Sequence, residues 1–301
     1  MDSLYQPLPS SVHIYFTNQP VDTGLFRAYY LIADLKDKKL DFTADTSRDR
    51  RLTPSTFYER NNKALLVVNC TFFSYETNRS LNVVIKDGKL VGYNIHSLPG
   101  KGKDTLQYWH FFRSAIGINK KREADIVWLY TDSTDKYAHQ NESPFVRLKD
   151  SIANFKLPRS FDTKINGQDV HAEQHFPDWK VVTAVGGGPV LLQEGQIKIT
   201  NNEEMMFTGK AFNDKHPRTA MGYTKDGKLI ILVIEGRNKE AGGATLTQEA
   251  QIFKDLGCWE ALNLDGGGSS CMLVNGKETI KVSDTTGQRP VPAVFVIRNK
   301  K

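Results

Sequence analysis

The segment with the clearest potential for chemistry runs from Asp265 through three glycines to Ser269 and Ser270, directly after the apolar run 261–264. Consecutive glycines let the backbone approach a ligand without interference from Cβ atoms, and their amide N–H groups suit an oxyanion or a phosphate. Asp265, at the tip of the predicted strand, supplies a carboxylate for acid–base or nucleophilic chemistry. The alternative interpretation is a tight turn that Asp265 merely caps.

Two arginines and a histidine near another strand favour an anionic ligand. His216 and Arg218 precede the apolar run that ends at Glu235, and Arg237 follows it. Guanidinium groups grip phosphate through planar, two-pronged hydrogen bonds. A second glycine triplet, 186–188, comes before a further apolar run, where a turn is the more common role.

Polar side chains also follow the apolar run 65–68. Asn69 and Thr71 offer an amide and a hydroxyl that suit the hydroxyl groups of a sugar. His171 and His175 are spaced i,i+4 and would share one helix face as metal ligands, but no clear third ligand accompanies them. We therefore expect neither a metal ion nor a cofactor.

The elements that position these residues are best marked between 228 and 264. The apolar run 229–234 suits a strand covered on both faces, and Thr245 with Gln248 forms a capping box that begins a helix ending before Gly257. The next apolar run is 261–264, so the unit predicts a strand, a crossover helix and a parallel strand. Glu235 and Asp265 would then face one crevice at the carboxyl ends of neighbouring strands.

Dipeptides that favour tight turns separate other apolar segments and predict antiparallel hairpins. These dipeptides are Asp87-Gly88, Glu194-Gly195, Asp226-Gly227 and Asn275-Gly276. The predicted fold class is therefore α/β in the mixed α+β sense. Its sheet would combine antiparallel hairpins with a parallel strand-helix-strand unit near 229–264.

Composition places the chain among ordinary globular proteins. It has 301 residues, 39% hydrophobic and 25% charged, which excludes disordered, collagenous and disulfide-scaffold classes. No apolar run approaches the length of about 20 residues that spans a bilayer. The net charge of +6 would suit an anionic partner, but the basic residues are scattered and most are expected to form a solvated surface.

Several of these segments, taken in order along the chain, resemble the phosphodiester glycosidase family, which includes many bacterial exported proteins. The resemblance covers about residues 29–298. The matching segments are 69–73 (NCTFF), 186–192 (GGGPVLL), 218–222 (RTAMG), 235–237 (EGR), 243–256, 262–270 (LNLDGGGSS) and 289–293 (RPVPA). We expect an N-terminal extension over 1–24 and one catalytic domain over 25–301.

The resemblance implies hydrolysis of the glycosidic C1–O bond of a sugar 1-phosphodiester, such as an N-acetylglucosamine 1-phosphodiester, to the free sugar and a phosphate monoester. Asp265 would act as the base or nucleophile at the anomeric carbon, with Glu235 as its partner. Arg218 and Arg237 would neutralise the phosphate, and His216 would assist the leaving group. The predicted catalytic residues are Asp265, Glu235, Arg237, Arg218 and His216.

The sugar and phosphate pockets would be shaped by polar residues and by both glycine triplets. The predicted substrate-binding residues are Asn69, Thr71, Gly186, Gly187, Gly188, Asn263, Gly266, Gly267, Gly268, Ser269 and Ser270. The expected partner is a phosphorylated carbohydrate or glycopolymer, with no nucleic acid and no membrane span. Since family members are typically exported, we expect an extracytoplasmic protein whose signal segment is absent from this chain.

Two other functions are compatible with the same residues. A metal-dependent phosphodiesterase would attack phosphorus and would lose activity on chelation. A non-catalytic module would bind a phosphorylated glycan through the same loops, without turnover. A nucleic-acid-binding module ranks last, because no basic helix or interleaved aromatic and basic stripe is present.

Overall fold

Three large β-sheets form the body of the described part of the chain. The computed structural model describes residues 1–19, 21–158, 160–165, 168–173 and 175–300, and of 160–165 and 168–173 the backbone only. Strands and helices are numbered in chain order. The first sheet consists, from edge to edge, of β1 (Val12–Thr17), β2 (Ala28–Asp34), β20 (Lys228–Ile234), β19 (Arg218–Tyr223), β21 (Glu260–Asn263), β17 (Val190–Gln193) and β18 (Gln196–Ile197).

The second and third sheets complete the main body. The second consists of β15 (Asp178–Trp179), β11 (Ala138–Asn141), β10 (Ala124–Tyr130), β9 (Arg113–Ile118), β16 (Thr183–Gly186), β5 (Val84–Lys86) and β6 (Lys89–Gly92). The third consists of β23 (Lys277–Glu278), β22 (Met272–Val274), β4 (Leu66–Asn69), β24 (Ala293–Asn299) and β3 (Leu40–Thr46).

The remaining elements are short. A three-stranded sheet contains β12 (Leu148–Asp150), β8 (Tyr108–His110) and β7 (Ser97–Pro99), and a two-stranded sheet contains β13 (Ser160–Ile165) and β14 (Gln168–Glu173). The α-helices of the described residues are α1 (Pro54–Arg60) and α2 (Leu246–Asp255). Short 3-10 turns lie at Asp2–Tyr5, Gly102–Asp104, Gly209–Phe212 and Gly267–Ser269. None of the helices in the described segments is long and apolar enough to cross a membrane.

One apolar core lies where the inner faces of the three large sheets meet. Strand β20 shows how alternation divides its side chains between two clusters. Leu229, Ile231 and Val233 enter the common core, whereas Ile230 and Leu232 point the other way, toward α2. The run of apolar residues in this strand therefore reflects cover on both faces.

The predicted α/β fold with a parallel strand-helix-strand unit is wrong. Every pairing between the described strands is antiparallel, and the fold is predominantly β. Strands β20 and β21 run in the same direction, but β19 lies between them and pairs antiparallel with both. The apolar run 229–234 was misleading because an antiparallel strand buried on both faces has the same pattern as a parallel one.

The local predictions for turns and for α2 are confirmed. The four dipeptides join β5 to β6, β17 to β18, β19 to β20 and β22 to β23. Asn275 and Gly276 both have positive φ, at 48° and 78°, as a tight two-residue hairpin turn requires. Helix α2 begins with the capping box between Thr245 and Gln248 and its C-cap is Leu256.

Candidate active site

Three loops converge at one edge of the first sheet. Because β20 and β21 end where β19 begins, the residues after Ile234 and Asn263 meet those before Arg218. The Gly267 N–H donates to the Pro217 carbonyl at 2.8 Å. The alternation of antiparallel strands, rather than adjacent parallel strands, thus brings these segments together.

Asn69 fixes the backbone of Asp265 from the third sheet. This fully buried amide at the end of β4 donates through Nδ2 to the Asp265 carbonyl at 2.6 Å. Its Oδ1 accepts from the Thr219 hydroxyl at 2.9 Å and from the Cys271 N–H at 3.1 Å. The Asp265 N–H donates to the Cys70 carbonyl at 2.8 Å. Asn69 therefore uses both its amide nitrogen and its oxygen within the protein and positions Asp265.

The carboxyl group of Asp265 is strongly perturbed by its burial. Its Oδ2 is buried and has no hydrogen-bond partner among the described residues. Burial raises the pKa of Asp265 to about 7, against smaller lowering effects of the Ser269 hydroxyl, the Arg289 guanidinium and the Gly266 amide. A carboxyl group with a pKa near neutrality suits proton transfer or nucleophilic attack.

Other buried polar atoms close to Asp265 also lack protein partners among the described residues. They are the hydroxyls of Thr71 and Ser269 and the Oδ1 atom of Asn263. Thr71 directly follows Cys70, whose carbonyl accepts from the Asp265 N–H, and Asn263 and Ser269 are close to Asp265 along the chain. Since buried polar groups are usually hydrogen-bonded, their coincidence marks the place where a polar ligand would complete the bonding. Ser270 is buried too, and its hydroxyl lies 3.2 Å from that of Thr219.

Arg289 brings a positive charge to Asp265. Its Nε and Nη2 donate to the two carboxylate oxygens of Asp284 at 2.7 and 2.8 Å. A Cβ at Gly268 would collide with both side chains, so only glycine lets the turn approach them this closely. The motif containing Arg289 forms part of the family resemblance, but neither Arg289 nor Asp284 was assigned to the site. The sequence offers no signal that would pair them.

Arg237 and His216 flank the same turn. Arg237 is exposed and has a φ of 61°, an uncommon conformation for a residue other than glycine. Its guanidinium is 3.2 Å from the position that a Cβ of Gly267 would occupy, and Nη2 lies 3.1 Å from His216 Nδ1. Burial and the charges of Arg218 and Arg237 lower the pKa of His216. Because arginine can only donate, His216 Nδ1 accepts, and the neutral ring carries its proton on Nε2.

The structure turns Arg218 away from this cluster. Alternation along β19 directs Thr219 toward Asn69 and Arg218 toward α2. Arg218 is 3% exposed, and its guanidinium donates to the carbonyls of Ala244 at 3.0 Å and Asp214 at 3.2 Å.

Glu235 likewise contacts groups other than Asp265. Its Oε1 accepts from Asn238 Nδ2 at 2.9 Å, and its Oε2 accepts from the Lys281 N–H at 3.2 Å and lies 3.6 Å from Arg27 Nε. The carboxylate is buried, and no hydrogen bond joins it to Asp265 within the described residues. Through Arg27, Asn238 and Lys281, it holds three segments of the chain together.

The first glycine triplet uses its N–H groups within the protein. Gly186, Gly187 and Gly188 donate to the carbonyls of Val83, Ser114 and Asn263, at 2.8, 3.1 and 2.8 Å. Asn263 Nδ2 in turn donates to the Gly188 carbonyl at 2.7 Å. This triplet therefore positions Asn263 by close backbone packing, whereas Gly266, Gly267 and Gly268 border Asp265, Arg237 and Arg289.

Glu204, which the sequence analysis did not identify, packs against this glycine triplet at Gly188. Its fully buried carboxylate accepts from the Ser114 and Val190 N–H groups, both at 3.0 Å, and from Trp128 Nε1 at 3.1 Å. A Cβ at Gly188 would lie 2.7 Å from Glu204 Oε2. Glu204 sits in a polar segment without any pattern, so the sequence alone does not distinguish it from a surface residue.

The histidine pair at 171 and 175 does not lie on a helix. His171 belongs to β14, and its side chain is outside the described part of the chain. Among the described residues, no three His, Cys, Asp or Glu side chains are grouped as metal ligands.

Comparison with known proteins identifies the family. Residues 135–298, just over half of the chain, match the family described as phosphodiester glycosidase. This chain belongs to the phosphodiester glycosidase family. The catalytic domain of zebrafish N-acetylglucosamine-1-phosphodiester alpha-N-acetylglucosaminidase, auto-inhibited by its pro-peptide, has the same fold. The TM-score is 0.63 at 20% identity, over 98% of this chain and 85% of that one.

Curated relatives are similar over shorter segments. The SPbeta prophage-derived uncharacterized protein YomE of Bacillus subtilis is 42% identical over 79 residues, which is 26% of this chain and 12% of YomE. The mouse N-acetylglucosamine-1-phosphodiester alpha-N-acetylglucosaminidase is 31% identical over 97 residues, which is 32% of this chain and 19% of the mouse protein. The chain thus covers less than a fifth of the length of either relative.

Proposed function

We propose that this phosphodiester glycosidase hydrolyses the C1–O bond of a sugar 1-phosphodiester, with N-acetylglucosamine as the first sugar to test. The observation that carries the proposal is the Asp265 carboxyl, whose Oδ2 has no partner among the described residues and whose pKa is raised to about 7, at a glycine-rich turn bordered by two guanidinium groups. Family membership supports the reaction class, and the mouse relative supports the choice of sugar.

In this proposal, Asp265 acts at the anomeric carbon in its ionised form. It either attacks C1 or removes a proton from the attacking water, and the C1–O bond to the phosphate breaks. The oxygen of water ends on C1, and the phosphate leaves as a monoester that gains one negative charge.

The positive groups at the turn would stabilise the departing phosphate. Arg237 is exposed beside Gly267, and Arg289 lies beside Gly268, so both guanidinium groups border the turn. Fixed cations placed where charge develops lower the barrier without further reorganisation. His216 carries its proton on Nε2 and is suited to donate a hydrogen bond to the leaving oxygen.

Two predicted catalytic residues receive positioning roles. Arg218 donates to backbone carbonyls on the α2 side, and Glu235 holds Arg27, Asn238 and the Lys281 amide. We infer that they keep the loops in place and do not contact the reacting atoms. Thr71, Asn263 and Ser269 supply uncharged polar atoms for the sugar.

Hydrolysis in ¹⁸O-labelled water tests the reaction directly. A panel of sugar 1-phosphodiesters that begins with methyl N-acetylglucosaminyl phosphate is incubated with and without a chelator, and both products are analysed by mass spectrometry. We expect the label in the sugar and no effect of the chelator. Label in the phosphate would mean attack at phosphorus, and binding without turnover of any substrate would indicate a non-catalytic module.

A further inference from the structure

A series of arginines leads away from the candidate active site on one side. Tyr75 is 62% exposed, and its ring centroid lies 5.9 Å from the guanidinium carbon of Arg289 and 4.9 Å from that of Arg51. Arg51 is held in place because its Nε donates to Asn78 Oδ1 at 2.8 Å. One exposed aromatic ring therefore connects the arginine beside Asp265 to a second arginine.

Two further arginines, close along the chain to Arg51 and to its partner Asn78, line a cavity of about 520 Å³. Arg48 and Arg79 line this cavity together with uncharged residues such as Ser80 and Asn94. Arg79 is mostly exposed and pairs with Asp49 at 2.7 Å. Of the four arginines in this series, Arg79 pairs with Asp49 and Arg289 with Asp284, while Arg48 and Arg51 have no ion pair among the described residues.

The polar groups near Asp265 fall into an uncharged set and a cationic set. The unpartnered atoms of Thr71, Asn263 and Ser269 are uncharged, as suits a sugar, whereas the residues that continue from Arg289 through Tyr75 to Arg51 are cationic or aromatic. A phosphodiester is bonded to a sugar on one side and to an alcohol on the other. If the sugar binds the uncharged set, the alcohol extends over Tyr75 toward Arg51 and Arg79.

We propose that Arg51, Tyr75 and Arg79 form a leaving-group subsite that binds an alcohol bearing a second anionic group, such as a further phosphate. The inference rests on the proposed function and names its substrate class: a sugar phosphodiester within a larger anionic molecule. Guanidinium groups bind phosphate through paired hydrogen bonds, and the tyrosine face packs against the carbon atoms between the two phosphates.

The test compares two substrates that differ only in the alcohol. Both carry the sugar that the panel selects; one is the methyl phosphodiester and the other has glycerol phosphate in place of methanol. We expect a higher kcat/KM for the anionic alcohol, by about tenfold, which is the usual effect of one hydrogen bond to a charged group. The preference should shrink as salt is added.

Variants assign the preference to the subsite. Arg51→Gln and, separately, Arg79→Gln should lower kcat/KM for the anionic substrate several-fold through KM, and leave the methyl substrate unchanged. The matched control is Lys120→Gln, which removes the same charge from a different cavity, lined by Lys120, Lys121 and Lys136. That cavity lies at the start of β16, whereas the candidate site lies at its end.

The possible results distinguish failure of the subsite from failure of the proposed function. Turnover of the methyl substrate with no preference for the anionic alcohol would overturn the subsite and leave the glycosidase intact. Equal losses on both substrates in Arg51→Gln and Arg79→Gln, or the same loss in Lys120→Gln, would also overturn it. Hydrolysis of neither substrate would overturn the proposed function and this inference with it.

Discussion

At the scale of single residues, the surroundings of Asp265 determine its chemistry. Its backbone is fixed by Asn69 and Cys70, while Oδ2 accepts no hydrogen bond from the described residues. Asp265→Asn keeps the shape and removes the negative charge. We expect turnover to fall by about 10³-fold, the usual effect of removing an acid–base group, with little change in stability.

The control for this variant is Asp226→Asn, at a hairpin turn far from the site. Initial rates and thermal unfolding of both variants are compared with those of the parent. An Asp265→Asn enzyme with more than a tenth of the parent turnover would remove Asp265 from the proposed catalytic role.

The raised pKa of Asp265 predicts the pH dependence of kcat/KM. The group is protonated below its pKa of about 7 and ionised above it, so activity that needs the carboxylate should rise with pH through about 7. The Ser269 hydroxyl makes no hydrogen bond among the described residues but is near enough to Asp265 to lower its pKa, so Ser269→Ala should move the rising limb to higher pH. Measured pH–rate profiles check both statements.

His216 is the other titratable group whose ionisation could produce the rising limb of the pH–rate profile. Its pKa is lowered by burial and by neighbouring arginines, so its own limb would lie at lower pH. His216→Gln should reduce the rate and leave the limb where it is. A limb that vanishes in this variant would transfer the titration from Asp265 to His216.

Sequence patterns identified strand ends but not the direction of the side chains there. Asp265 and Arg237 follow apolar runs and do lie together at the turn. Arg218 has an equally good local signal, yet the register of β19 turns it toward α2. Arg289 lies in a segment without regular structure, so no periodicity could place it beside Asp265.

At the scale of elements, the turn after β21 depends on close packing. Gly268→Ala would force a Cβ into the Arg289 guanidinium and Asp284. We expect kcat/KM to fall at least about tenfold as Arg289 is displaced. Gly242→Ala is the matched control, since its nearest neighbour beyond the adjacent residues would be at 3.8 Å. Equal activity in both variants would show that Arg289 is not needed where it lies.

Helix α2 carries a buried acid that predicts how stability depends on pH. Burial raises the pKa of Glu249 from 4.5 to about 8, and neither of its oxygens has a partner among the described residues. The folded state therefore binds a proton more tightly than the unfolded state between these values, and stability falls as pH rises through this window. Above pH 8 the contribution is constant.

Glu249→Gln should flatten this decline. Between pH 6 and pH 9 the parent should lose roughly 2–3 kcal/mol more than the variant in its free energy of unfolding. Urea unfolding at both pH values measures the difference. Glu59→Gln, on the exposed side of α1, is the control and should track the parent. Identical slopes for Glu249→Gln and the parent would contradict the assignment.

Elements defined by adjacent residues were predictable, and their neighbours in space were not. The capping box at Thr245 and the four hairpin dipeptides reflect only local backbone preferences, and the predictions made from them are confirmed. The apolar run 229–234 reports burial on both faces, but not what provides the cover. No local signal in the sequence shows that β19 lies between β20 and β21. Because β19 does lie there, β20 and β21 are not paired with each other and the predicted fold class is wrong.

At the scale of the whole molecule, the site depends on contacts between distant parts of the chain. Asn69 reaches Asp265 across 196 positions and Thr219 across 150. Such pairings exist only once the first and third sheets have packed on their common core. Disturbing a sheet far from Asp265 should therefore alter stability and activity together.

The edge of the first sheet provides a test at this scale, because residues 1–24 include β1. This strand pairs with β2 over six residue pairs, and Tyr5, Val12 and Ile14 are buried in the common core. A chain of residues 25–301 would expose the edge of β2 and the apolar surface beneath it. At about 1.5–3 kcal/mol for each buried side chain, we expect a loss of roughly 5 kcal/mol or an insoluble product.

If the truncated chain does not fold, a point variant in β1 tests the contribution of this strand to stability. Ile14→Ala should cost roughly 3 kcal/mol in urea unfolding and lower activity only as far as the protein unfolds. Val21→Ala, at a side chain that is 39% exposed, should be close to neutral. A truncated protein as stable and active as the full chain would instead make 25–301 a self-sufficient catalytic domain, because the core would then not need β1.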